Sequence, residues 1–339
     1  MSDVLEITVF GKGQGESILV GLDNEKYIVI DSFIESESGR PVALKYMEDN
    51  GIGINKIIGV ICTHWDNDHI RGIGDIISEH PAELNLCLPS VLSQKTYTQY
   101  ISSFDEAEDE SPSSELCRIL DLYQKKKCQL SWVIQDRILL ENEMEDRVTT
   151  MRALSPSDEQ YSMFLNSIVP PQKGQTIRKP LLKDNVLSIV THIESSIDSV
   201  LLGGDLELSP YGGWSYICDR YKSISTCHIF KIPHHGSKNG YHSDVWGNLV
   251  ENPISIITRF NNKSLPSEEM VKKIKKTSSI VYVVGAPSRK SNSLKQEINK
   301  HMFGSMVKSA RENSEKYGCV RMTKTHDSCW KIDTFGSVK

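Results

Sequence analysis

The chain has 339 residues, with 39 Lys+Arg against 44 Asp+Glu and a net charge of −5. Hydrophobic residues at 38% and charged residues at 24% describe a globular chain, which excludes collagen-like, low-complexity and wholly disordered readings. No apolar run approaches the ~20 residues that span a bilayer, and MSDVLEITVF lacks the basic and apolar regions of a signal peptide. The expectation is a soluble, cytoplasmic protein with no membrane partner. Eight scattered cysteines without a CxxC pair read as reduced thiols rather than as a disulfide framework or a zinc knot. Lys125–Lys127 and the Lys272, Lys273, Lys275, Lys276 group read as solvated helix faces.

Residues 5–10, 16–22 and 26–31 are rich in Ile and Val and separated by turn residues, so they are predicted as strands. A helix follows over 40–50, a buried strand over 56–62 and a helix from Asp68 to Glu79. The stretch 89–180 is less regular and reads as an insertion, either a lid or a surface decoration. It contains the acidic segment Phe104–Ser114, a helix at 114–126, strands near 130–134 and 148–153, and a Pro-rich loop at 167–180. Strands at 186–194 and 198–204 form a predicted hairpin. A helix at 210–222, strands at 226–232, 254–258 and 280–284, and helices at 267–276 and 292–310 come next. A hairpin over 318–333 closes the chain. Two successive runs of meander strands followed by alternating helices suggest α/β architecture with two mixed sheets packed face to face and helices outside. The whole of 1–339 is read as a single domain.

The densest chemistry lies in His64-Trp65-Asp66-Asn67-Asp68-His69, between a buried strand and a helix. Imidazoles and carboxylates at this density are costly to bury unless a cation offsets them. His64, Asp66, Asp68 and His69 are therefore candidate metal ligands. Asp205 follows Gly203-Gly204 at a strand end and is placed to bridge two cations. His234 and His235 precede Gly236 in another strand-end loop. Asp31, ending the third strand, is a candidate partner for a ligand imidazole. Lys231 and Ser237 are candidate phosphate contacts, against readings in which Lys231 snorkels from a strand and Ser237 caps a turn. His192, mid-strand, reads as a core histidine.

Taken together these motifs resemble the metallo-β-lactamase-fold hydrolases, and more closely the ComEC-type branch, the nuclease domain attached to bacterial DNA-uptake channels. The HxDxDH run, Gly13-Gln14-Gly15-Glu16-Ser17, Leu202-Gly203-Gly204-Asp205-Leu206-Glu207 and Lys231-Ile232-Pro233-His234-His235-Gly236-Ser237 carry the likeness, with Asn185 and Ser188 matching an N-x-x-S element. It covers about 1–88 and 146–285 and the closing hairpin. The resemblance implies a four-layer αβ/βα sandwich with two divalent metal ions, zinc or manganese, with magnesium admissible. It implies His64 and Asp66 on one ion, Asp68 and His69 on the second, Asp205 on both, and His234 or His235 completing the second site. Gln14 is then a substrate-side residue, and Asp31, Asn185 and Ser188 support the ligands.

Two positions depart from the family. Lys183-Asp184-Asn185 stands where many members have a ligand histidine, so either Asp184 or Asn185 substitutes or that site is weak. Leu265-Pro266 replaces a His-Pro of the uptake-channel relatives. The implied activity is DNA cleavage by a metal-activated hydroxide, with DNA or a nucleotide as substrate. Two alternatives stand beside it. One is hydrolysis of a small substrate such as a cyclic nucleotide, thioester or lactam. The other is an effector subunit of a bacterial defence system that needs a partner protein encoded nearby.

Overall fold

The first three strands are buried on both faces, and their alternate residues enter different cores. In a computed structural model describing residues 4–94, 112–144, 147–167, 184–210, 212–285, 317–326 and 328–339, β1 (Val4–Gly11), β2 (Glu16–Leu22) and β3 (Lys26–Ile30) form an antiparallel meander. Leu5, Ile7 and Val9 of β1 and Ile18, Val20 and Leu22 of β2 face a core shared with a second sheet. Phe10 and Leu19 face the other way, into a core with the helix Val42–Asp49. The period of two thus sorts each strand between two apolar layers.

Parallel strands β4 (Ile57–Ile61), β5 (Leu84–Pro89) and β6 (Cys128–Val133) extend this sheet beyond β3. The C-terminal hairpin, β14 (Gly318–Thr325) and β15 (Lys331–Phe335), extends it beyond β1. The second sheet repeats the plan. An antiparallel run of β7 (Ile138–Met144), β8 (Arg147–Ala153), β9 (Thr191–Glu194) and β10 (Ser199–Leu202) leads into parallel β11 (Cys227–Lys231), β12 (Val250–Thr258) and β13 (Ile280–Val284). Val200, Ile229 and Ile256 meet the first sheet, while Leu201, Phe230 and Ile257 pack under the outer helices. The architecture is the expected α/β sandwich of two mixed sheets.

Several expectations change in detail. Residues 128–144 and 147–153, inside the stretch read as an insertion, supply one edge strand of the first sheet and two strands of the second. β7 was not foreseen, because LENEM at its end offers little apolar alternation. The predicted strand 186–194 begins as a 3-10 turn over Asp184–Leu187, and only Thr191–Glu194 is strand. Its start is diverted because Ile189 N–H donates to the carbonyl of Thr63 in the other sheet's loop, at 2.9 Å. The helix predicted from Asp68 to Glu79 breaks at Gly72, whose φ of 90° is open to glycine and strained for other residues. The acidic segment Phe104–Ser114 up to residue 111, the loop 167–180 beyond Ser167 and the helix 292–310 lie outside the described residues. All eight cysteines are free. Both lysine groups are exposed. Among the described residues no helix is long and apolar enough to cross a membrane.

At the strand ends away from the candidate ligands, Asp198 ties the two sheets together. Its carboxylate accepts from Lys324 Nζ at 2.6 Å and Trp330 Nε1 at 2.8 Å in the closing hairpin, and pairs with His228 Nδ1 at 2.7 Å in its own sheet. Burial alone raises a carboxyl pKa, but here Lys324 and His228 outweigh it and hold Asp198 below the ordinary 3.8. A depressed carboxyl stabilises the fold above its unfolded pKa, and that contribution is lost as pH falls through the folded value. Asp198→Asn is therefore expected to cost about 3 kcal/mol at neutral pH, with wild-type and variant urea midpoints converging as pH drops below about 4. Equal midpoints at neutral pH contradict this role.

Candidate metal centre

Four loops, each following a strand, and the end of a fifth strand meet at one end of the sandwich. Asp31 follows β3, Thr63–His69 follows β4, Gly203–Asp205 follows β10, and His234–His235 follows β11. Thr258 ends β12. Asp31, His234 and His235 have φ of 57°, 46° and 52°, a left-handed backbone that costs a non-glycine residue free energy. Gly203 lets the loops close, since a Cβ there would lie 2.9 Å from the carbonyl of Lys231.

The hydrogen bonds around the histidines set which nitrogen faces inward. Asp31 Oδ1 accepts from Thr63 N–H at 2.6 Å, and Asp31 Oδ2 accepts from Thr63 Oγ1 at 2.7 Å. With its proton given to Asp31, Thr63 Oγ1 can only accept from His64 Nδ1, 3.1 Å away. His69 Nδ1 donates to Asp31 Oδ2 at 2.7 Å. Both rings thereby turn Nε2 inward, and both Nε2 atoms are buried without a hydrogen-bond partner, as is Asp205 Oδ1. These three residues bring one ligand atom each within 4.8 Å of one another. Asp68, His69 and His235 form a second such group. His235 Nε2 lies 3.2 Å from Asp68 Oδ2 and 3.4 Å from Asp205 Oδ2. Asp205 Oδ1 is 3.6 Å from His69 Nε2.

The remaining predicted residues divide. Asp66, with its side chain 46% exposed, sits at the mouth with Oδ2 3.8 Å from His64 Nε2. His234 is turned out of both groups: Nδ1 pairs with Glu207 Oε1 at 3.1 Å, and Nε2 lies 3.4 Å from Asn185 Nδ2. The choice between the two adjacent histidines thus falls geometrically on His235. Asp184 is in neither group, and its Oδ2 accepts from Trp65 Nε1 at 3.1 Å. Ser188 makes no side-chain hydrogen bond to the cluster, and its carbonyl accepts from Ser155 Oγ. Gln14 lies on the exposed rim and bonds Asn262.

Two expected substrate contacts have internal partners. Lys231 is fully buried and pairs with Glu16 Oε1 at 2.5 Å, so its ammonium is internal. Ser237 accepts from Gly240 N–H at 3.1 Å as the cap of a short turn, and its hydroxyl lies 3.1 Å from His234 Nδ1. Sequence reasoning gave no role to Thr63, Glu16, Glu207 or Thr258. Glu16 and Glu207 stood inside quoted motifs, whereas Thr258 carries no local signal.

The charges show what the cluster lacks. Burial, reinforced by His69, pushes His64 down to about 3, so it stays neutral. Burial also opposes charge on His69 and His235, yet the surrounding carboxylates Asp205 and Asp68 outweigh it and raise both rings. Asp205, whose burial alone would raise it, is held well below its usual range by His235, His69 and Lys231. Without a cation, these carboxylates favour protons on the two imidazoles as counter-charges. Three imidazoles and three carboxylates suit zinc or manganese, and the orphaned acceptors fit such an ion. A divalent ion must displace those protons, so its affinity should rise with pH, and protons should be released on binding. Zinc titrations at pH 6 and pH 8, with proton release read from calorimetry in two buffers, check this. Equal affinity at both pH values contradicts it.

Residues 10–85, which include the HxDxDH run, match the family model described as the metallo-β-lactamase superfamily. No curated protein matches the sequence. Among solved structures, the metallo-β-lactamase fold protein YhfI from Bacillus subtilis is 13% identical, covering 84% of this chain and 97% of that one, with a TM-score of 0.44. Zn(2+)-bound PqqB from Methylobacterium extorquens is 10% identical, covering 84% and 98%, with a TM-score of 0.46. The metallo-β-lactamase SMB-1 bound to 2-mercaptoethanesulfonate is 12% identical, covering 67% and 76%, with a TM-score of 0.37. Over residues 10–85 the chain is thus similar to the metallo-β-lactamase superfamily, and its two mixed sheets carry the candidate ligands on the loops at one end.

Proposed function

We propose that the protein is a metal-dependent hydrolase of phosphodiesters, with DNA as its substrate. The observation that carries the hydrolase reading is the convergence of His64 Nε2, His69 Nε2 and Asp205 Oδ1, three buried atoms without a hydrogen-bond partner. Polar atoms left unpaired at this depth are costly, and a divalent cation removes the cost. His64, His69, His235, Asp68 and Asp205 are the residues that would hold the ions, with Asp66 at the mouth.

Divalent ions held there supply Lewis acidity toward a phosphoryl oxygen and acidify water. Asp31 and Thr63 keep the His64 and His69 rings in one tautomer and one orientation, so little reorganisation accompanies the reaction. Trp65, next to His64 in the chain, is 4% exposed and donates to Asp184 Oδ2, which anchors this loop. The choice of phosphodiester rests on the ComEC-type pattern of HxDxDH with the GQG-acid loop, and on the rim. Phe260 stacks on His235 with ring centroids 5.1 Å apart, and the exposed Lys263 ammonium lies 5.5 Å from the Phe260 centroid. Burial and the neighbouring Asp68 push the Asp66 carboxyl up to about 6, with Lys263 among the groups that oppose them. A cation on this side of the mouth favours an anionic substrate.

The test incubates the purified chain with single- and double-stranded DNA and with bis-p-nitrophenyl phosphate, in Mn²⁺, Mg²⁺ or Zn²⁺. Wild type should cleave at least one of these. Asp68→Ala and His69→Ala should lose at least about 1,000-fold, roughly 4 kcal/mol of transition-state stabilisation. His64→Ala and Asp205→Ala should behave alike while keeping the far-ultraviolet circular dichroism of a folded chain. Wild type and variants that are indistinguishable on every substrate contradict the proposal.

A further inference from the structure

The core between the sheets ends in a polar layer directly under the candidate ligands. In β2 the apolar residues facing that core are Ile18, Val20 and Leu22, so Glu16 continues the same face. By the same period, Lys231 follows Ile229 in β11 and Thr258 follows Ile256 in β12. All three side chains are almost fully buried, at 1%, 0% and 0% exposure.

They are bonded to one another and to two of the candidate ligands. Lys231 Nζ donates to Glu16 Oε1 at 2.5 Å and to the carbonyl of Gly204 at 3.0 Å, and lies 3.8 Å from Asp205 Oδ1. Thr258 Oγ1 donates to Glu16 Oε2 at 2.5 Å. Its one proton is thereby used, so at its 2.9 Å contact with His235 Nδ1 it accepts. Glu16, Asp205 and His235 also bring ligand atoms within 4.8 Å of one another, an arrangement that invites a cation. The ammonium of Lys231 already lies against Glu16 and Asp205. A buried ion pair adds little to stability compared with apolar residues of the same volume, so fold stability alone gives no reason for this one.

We propose that Glu16, Lys231 and Thr258 are positioning residues for the metal centre. Thr258, oriented by Glu16, fixes His235 with Nδ1 protonated and Nε2 free for the ion. Lys231, neutralised by Glu16, holds the Gly204–Asp205 turn with a built-in cation. The inference rests on the metal reading of the site, and it assigns Lys231 to the protein's interior rather than to substrate.

The experiment measures zinc affinity of the full chain by competition with a chromophoric chelator, with thermal unfolding of the metal-free protein alongside. Wild type is titrated first: a chain that binds no zinc removes the metal reading itself, before any variant is compared. Given binding, Thr258→Val should weaken zinc affinity about 10- to 100-fold, the usual effect of losing a hydrogen bond to a ligand histidine. Thr258→Ser, which restores the hydroxyl without the methyl, should recover most of it. Glu16→Gln leaves the Lys231 ammonium uncompensated beside Asp205 and should weaken zinc binding at least about 10-fold, which keeps the test open if the valine variant does not fold. A folded Thr258→Val or Glu16→Gln protein with wild-type zinc affinity overturns the proposal. So does a Thr258→Ser variant no better than Thr258→Val, because the methyl group, not the hydroxyl, would then be what matters.

Discussion

Buried imidazole and carboxylate atoms converging on one point without hydrogen-bond partners are the constraint around which this molecule is organised. His64 Nε2, His69 Nε2 and Asp205 Oδ1 are enclosed and unbonded, and the carboxylates of Asp68 and Asp205 crowd His235. Left alone, such a cluster would relax by rotating side chains outward. It is prevented from doing so because each imidazole is gripped at its other nitrogen: His69 by Asp31, His64 by Thr63 and His235 by Thr258. The backbone adds to this grip, with Asp31 and His235 in left-handed conformations that the surrounding strands enforce.

The layered architecture makes that enforcement affordable. Two sheets share an apolar core of alternate Val, Ile and Leu side chains, and each sheet has a second apolar layer beneath its helices. Parallel strands deliver their loops to the same end, so residues far apart in sequence arrive as neighbours. Asp198 locks the sheets to each other at the other ends of the strands, through Lys324, Trp330 and His228. The cluster therefore sits on a frame fixed at both ends, which is what preorganised ligands require.

Much of this was legible in the sequence, because two kinds of signal are local. Strand patterning depends on neighbours two residues apart, and the HxDxDH run packs four candidate ligands into six positions. Signals that depend on distant partners were not legible. Nothing near Thr258 announces a bond to His235, and Asp184 looks like a substitute ligand until Trp65 is seen to bond it. The adjacent His234 and His235 are separable only by geometry, since Glu207 and Asn185 draw one of them aside. Lys231 illustrates the point. Read as a cation near a substrate loop it suggests phosphate, but its place two residues after Ile229 already put it on the face between the sheets. The interruption of the predicted strand before Thr191 also escaped, because the bond from Ile189 to Thr63 crosses between sheets.

The central claim is that cations complete this cluster. Anomalous diffraction from zinc-grown crystals of the full chain, recorded on both sides of the zinc absorption edge, tests it most directly. The account predicts an edge-dependent peak at bonding distance, about 2.0–2.2 Å, from His69 Nε2 and Asp205, with His64 or His235 completing its coordination. Zinc-saturated crystals without such a peak, with protonated His69 and His235 paired instead to Asp68 and Asp205, would contradict it.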